Sequence, residues 1–151
     1  MIQRIQTIYL LLIAGFMLAI LFLPLGSFIK DGEVASFNCF GLTITQGTGF
    51  VKSEWTLFYL AIASSLISFS AVFLYKKRNL QVGLSYLMLM SLVMFYFFCW
   101  VYLQGYYNIY SSSFSFGFAL VLPLLSIILG FMAIAGIKKD EKLIRSLDRI
   151  R

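Results

Sequence analysis

Residues 114–151 read FSFGFALVLPLLSIILGFMAIAGIKKDEKLIRSLDRIR, and the junction after Ile137 decides the fold. Before it stand 24 residues without an Asp, Glu, Lys or Arg; after it, nine of fourteen are charged. An uncharged stretch of that length matches the ~20 residues a helix needs to cross about 30 Å of hydrocarbon. A charged segment set directly against it marks where the hydrocarbon ends.

Three further stretches repeat the pattern. Ile5–Leu25, Trp55–Tyr75 and Val82–Leu103 are 21 or 22 residues long and equally free of charge. Only 12% of the 151 residues are charged, about half the level of a soluble domain, and mean hydropathy is +0.92. Backbone groups in lipid must be satisfied within the segment, so blocks this long predict helices. Strands of a membrane barrel would be about half as long and would alternate apolar with polar. The expected fold is therefore an all-α membrane protein: a single domain over 1–151, built as a four-transmembrane-helix bundle. Its spans fall at about 5–25, 55–75, 82–103 and 114–137, with an outer loop over 26–54 and a cytoplasmic tail over 138–151. The first block reads as a retained span, because its apolar core is too long for a signal peptide and PLGS lacks the paired small residues of a cleavage site.

Charge orients the bundle. Four spans place both termini on one side with the second connector, and that side collects Arg4, Lys76, Lys77, Arg78 and six basic residues of the tail. The other side has only Lys30 and Lys52, set against Asp31, Glu33 and Glu54. The asymmetry predicts cytoplasmic termini. Trp55, Trp100, Tyr102, Tyr106 and Tyr107 then fall at the outer interface as an aromatic belt. A net charge of +6 without base-stacking aromatics among the basic residues argues against nucleic acid as a partner.

The tail also has helical spacing. Leu143, Leu147 and Ile150 recur on one face beside Ile144, and Glu141 precedes Arg145 by four residues. An amphipathic cytoplasmic helix is expected, lying on anionic lipid or docking on a partner through Leu143, Ile144, Leu147, Ile150, Arg145 and Arg149. In the outer loop, Asp31-Gly32 suits a two-residue hairpin turn, and the following Val, Phe, Thr and Ile residues predict a small extracytoplasmic β-ribbon resting on the mouth of the bundle. Thr45–Gly49 reads as a flexible return, and the second outer connector, around QGYYNIYSSS, as a short segment at the interface.

Small residues set helix approach in lipid. Ala61, Ser64, Ser65, Ser68 and Ala71 form such a stripe, with Gly15-x-x-x-Ala19 and Ser126-x-x-x-Gly130 beside it. Pro123 reads as mid-span and predicts a kink over residues 119–123. No residue pattern carries a catalytic, cofactor or metal site: histidine is absent, the spans hold no ionisable relay, and Cys39 and Cys99 are single cysteines without a CxxC partner. Those two are either independent buried thiols or a structural bridge pinning the ribbon to the bundle. A redox role would need them exposed and adjacent.

MIQRIQTIYLLL at the start, FLYKKRNLQ after the second block and the final IKKDEKLIRSLDRIR resemble, over essentially the whole chain, the bacterial family named domain of unknown function 4293. The resemblance implies a small four-pass protein of the bacterial inner membrane and transfers no activity, cofactor or catalytic residue. The function expected is a non-enzymatic accessory or scaffold subunit of a larger assembly, with the bilayer and another integral membrane protein as partners. Protein export and envelope biogenesis are the assemblies considered, with no residue that selects either. The alternative is a binder or carrier of lipid or another apolar molecule, using a cleft near Pro123 and Met88, Met90 and Met94.

Overall fold

The computed structural model describes residues 2–30, 33–44, 50–74, 77–110 and 113–148. It is mostly helical, with α1 at Ile2–Ala19, α2 at Thr56–Phe73, α3 at Arg78–Tyr110 and α4 at Val121–Asp148. Helix α1 packs on α2, α2 on α3, α3 on α4, and α4 returns to α1. Three segments are long and apolar enough to cross a membrane: Thr56–Phe73, Asn79–Tyr107 and Phe118–Asp140. The apolar part of α1, Ile5–Ala19, is shorter.

The helices leave much apolar surface outside. Only a third of each of the three windows is buried, and Leu66, Phe69, Val93, Phe97, Ile128 and Phe131 all stand exposed. Beside a hydrophobic core, α2 buries a face of small and polar residues. All five residues of the Ala61–Ala71 stripe are buried. Ser65 donates to the Ala14 carbonyl at 3.2 Å and Ser68 to the Leu10 carbonyl at 2.6 Å, so α2 is bonded to the backbone of α1. Ser64 donates back to Leu60 within its own helix and lies 2.7 Å from Ser91 of α3. Hydroxyls turned inward beside the apolar core, with large hydrocarbon side chains also left outside, suit a lipid solvent.

One end of the helices carries a five-stranded antiparallel sheet of order β4-β3-β2-β1-β5. Its strands are β1 (Gly26–Lys30), β2 (Glu33–Asn38), β3 (Gly41–Ile44), β4 (Phe50–Ser53) and β5 (Ser113–Phe116). Lys30 pairs with Glu33, which leaves two residues for the first turn, the spacing expected for Asp31-Gly32; these two, like Thr45–Gly49, lie outside the described residues. Asn38 pairs with Gly41 across Cys39-Phe40, and Gly41 takes φ 122°, a backbone region open to glycine. Phe28, Phe37 and Leu42 join Leu10, Met17, Leu92 and Phe95 in one hydrophobic core. The sheet is thus part of the core rather than a ribbon laid on it.

Several boundaries differ from the sequence expectation. Helix α1 stops at Ala19, not Leu25. Its carbonyls tighten to three-residue spacing, Leu21 to Leu18 and Phe22 to Ala19, before Pro24, which disfavours helix at the residue ahead of it. The Leu25 amide then bonds Phe37 in the sheet at 2.8 Å. Phe114–Phe116 is strand β5, not the start of the last helix, because Phe28 pairs with Phe114 and Gly26 with Phe116. Helix α3 runs to Tyr110, so residues 104–110 are helical rather than a surface connector. Pro123 sits in the first turn of α4 after a 3₁₀ turn, Phe118–Leu120. The passage from 3₁₀ to α geometry over residues 118–121 thus puts the irregularity expected over 119–123 at the start of the helix rather than in mid-span.

Two expected small-residue contacts separate likewise. Gly15 faces open space, whereas a Cβ on Gly130 would come within 2.7 Å of Leu89 Cδ2. Gly117 is more constrained. Its amide donates to the Leu25 carbonyl at 2.9 Å, and a Cβ there would lie 2.5 Å from the Pro24 oxygen and 2.7 Å from the Leu25 carbonyl carbon. Backbone cannot swing aside as a side chain does. Gly117→Ala is expected to lower stability by about 1–3 kcal/mol, the usual cost of overpacking, while Gly15→Ala changes it little. Unfolding midpoints of the two variants in the same detergent check this.

Candidate functional site

The end of the helices away from the sheet holds a buried polar group. Asp140 of α4 is 8% exposed and Gln6 of α1 5% exposed. The Gln6 amide donates to the Asp140 carboxylate at 2.8 Å. Gly136, one turn before Asp140, makes room: a Cβ there would stand 3.1 Å from Gln6 Cγ. Close by in sequence, Lys138 points outward and donates to the Tyr86 hydroxyl at 2.6 Å, with its ammonium 5.1 Å from the centre of that ring. A hydrogen bond to a charged acceptor contributes about 1.5–3 kcal/mol. The pair therefore fixes the first helix against the last at the end where the chain starts and finishes.

Of the tail residues singled out for docking, Leu143, Ile144, Arg145 and Leu147 lie on the unbroken backbone of α4, which passes the apolar window at Asp140 and continues to Asp148. Arg149 and Ile150 lie outside the described residues.

At the sheet end, Cys39 and Cys99 are free thiols, not a bridge. Cys39 is fully buried and Cys99 2% exposed, with Cys39 Sγ 3.5 Å from the Ile20 carbonyl. Burial pushes the Cys39 thiol up to about 12 from an ordinary 9.0, and the neighbouring Cys99 adds to the effect. A thiol so placed stays protonated and unreactive at neutral pH.

The aromatic belt divides. Trp55, Trp100 and Tyr107 are exposed, and the Tyr102 hydroxyl donates to Thr56 Oγ1 at 2.8 Å. Tyr106 turns inward instead, 3% exposed, its ring 6.2 Å from Phe28 and 5.7 Å from Phe37. It belongs to the core beneath the sheet.

Beside it opens a cleft of about 310 Å³, walled by Phe28, Phe114 and Phe116 of the sheet and by Trp100, Leu103, Gln104 and Tyr107 of α3. Gln104 is the one residue among these with an amide side chain, and none carries a formal charge. The rings of Phe28 and Phe114 are 4.8 Å apart, and those of Phe114 and Phe116 4.9 Å. Sequence reading placed an apolar cleft elsewhere, near Pro123 and three methionines. Pro123 is buried; Met88 is buried while Met90 and Met94 are exposed, so the three share no wall. Among the described residues no three of His, Cys, Asp or Glu group to hold a metal.

These features define a class: a small protein of apolar helices suited to a membrane, tied at one end by a polar pair and at the other by a sheet. The chain belongs to the family described as domain of unknown function (DUF4293), whose match covers residues 2–150. No curated protein matches it.

Two outcomes follow from these geometries. A double-mutant cycle of Gln6→Ala and Asp140→Ala, read by unfolding midpoints, is expected to give a coupling of about 1–3 kcal/mol. Cys39 has the raised-pKa sign: its contribution is intact below pH 9.0 and declines as pH climbs towards about 12. Maleimide at pH 8 should accordingly leave both cysteines of the native protein unmodified and label both after denaturation, as peptide mass spectrometry would report.

Proposed function

We propose that the chain is a four-pass integral protein of the bacterial inner membrane, non-enzymatic, serving as an accessory or scaffold subunit of a larger membrane assembly. Both termini face the cytoplasm and the sheet faces the opposite compartment. The supporting observation is α4, which continues as one helix from its apolar window into the charged segment ending at Asp148. Because that helix does not break at the hydrocarbon boundary, the tail projects along the axis of α4 instead of folding flat. Gln6 and Asp140 brace its base. A braced, projecting, basic helix suits contact with a protein partner better than adsorption on lipid.

Helix α1 supplies the fourth pass with the turns that follow it. Residues 2–19 rise about 27 Å as helix, and the turns at Ile20–Phe22 extend the apolar run. A second reading, binding of a lipid or another apolar molecule, gains support from the cleft between α3 and the sheet.

The orientation is tested with Ser53→Cys in β4 and Lys139→Cys in α4, both positions exposed, against a background of two buried native thiols. An impermeant maleimide is expected to label the first in intact cells with opened outer membranes and the second only after permeabilisation; the reverse order contradicts the proposal. For the assembly role, the full chain solubilised gently from native membranes is expected to elute with a partner, and a variant lacking residues 141–151 to elute alone. A monomeric full chain, with nothing captured by crosslinking, contradicts it.

A further inference from the structure

The outer cleft continues the outward face of α3. Val93, Phe97, Trp100, Gln104 and Tyr107 recur at steps of four, three, four and three, which places them on one stripe of a helix. All five are exposed. The lower part of the stripe lies within the span and has only lipid for solvent under the membrane reading. The upper part becomes one wall of the cleft, with Trp100 common to both. Helix α3, at 33 residues, measures about 50 Å and outruns a hydrocarbon layer of about 30 Å. Its last turns therefore stand at the level of lipid headgroups and ester linkages, where the sheet meets them.

We infer that this cleft holds the ester-proximal part of one acyl chain of a membrane lipid. The inference rests on the membrane reading above and deepens its second branch. The walls are aromatic and aliphatic and contain no Asp, Glu, Lys or Arg, so they suit an uncharged apolar occupant and reject a headgroup phosphate. A volume of 310 Å³ lies at the lower end of the ~300–1,000 Å³ of small-molecule sites. It accommodates a length of one chain and excludes a whole two-chain lipid. Gln104 offers an amide donor in the wall of the cleft, which an ester carbonyl would accept. Continuity with the lipid-facing stripe selects a lipid over a protein segment, since a chain lying along Val93 and Phe97 enters the cleft without leaving apolar contact. The sheet supplies the far wall because β5 pairs with β1 and brings Phe114 and Phe116 over α3.

The test reconstitutes the full chain in phosphatidylcholine vesicles whose acyl chains bear a diazirine near the ester. After illumination, labelled peptides are mapped by mass spectrometry. Phe114 of the sheet is half-buried and lines the cleft, whereas Phe116 is 77% exposed and open to bulk lipid. Label is expected on Phe114 as well as on the 93–97 stripe. In Gln104→Trp, an exposed position whose larger ring fills the cleft, Phe114 labelling is expected to fall several-fold while stripe labelling stays unchanged. Label on the stripe but not on Phe114, or Phe114 labelling equal in the variant, overturns the inference and leaves the membrane reading standing. A stripe without label overturns both.

Discussion

The structure depends on one constraint: the outward faces of its helices are hydrocarbon and need hydrocarbon around them. Only a third of each membrane-length window is buried, and most of the large side chains left exposed there are Leu, Ile, Val, Phe and Met. In water, contiguous apolar surface on that scale drives association or collapse. In lipid it costs nothing, and cohesion must come from close contact and internal hydrogen bonds. This accounts for the serines turned inward, for Ser65 and Ser68 seeking carbonyls of α1, and for Gly130 admitting Leu89.

The two ends solve a different problem. Helices without a hydrophobic force between them need something to hold register, and polar contacts at the boundaries provide it. At one end an amide–carboxylate bond joins α1 to α4. At the other, strand β5 crosses from the α3–α4 connection to pair with β1, which follows α1. The sheet gathers the ends of all four helices into one layer, and its aromatic underside merges with their core. The cleft is a by-product of that closure, since its walls come from the strand pair and from the turns of α3 that rise beside it.

Much of the helical architecture was legible because charge is excluded from long blocks for a reason that acts on every residue. The four blocks became four helices, and the serine stripe became a packed face. The pairing of Lys30 with Glu33 was legible too, because the signal for it is local. What was hidden depends on partners far along the chain. Phe114–Phe116 is as apolar as the helix after it, and only pairing with Gly26–Ile29 makes it a strand. Tyr106 reads as one more interfacial tyrosine until Phe28 and Phe37 close over it. Asp140 sits in the charged tail by sequence yet is buried by Gln6, 134 positions away. Pro123 misled because its effect depends on where the helix starts, and β5 delays that start to Val121.

The central claim, that lipid solvates the outer faces of α2, α3 and α4, is tested most directly by nitroxide accessibility in bilayers. Labels placed singly at Leu66, Phe69, Val93, Phe97, Ile128 and Phe131, all exposed positions, would be relaxed by oxygen and by a water-soluble nickel chelate in turn. Oxygen, which concentrates in hydrocarbon, is expected to reach all six strongly and the chelate none of them. Strong relaxation by the chelate at the midpoints of these helices would place them in water and contradict the account.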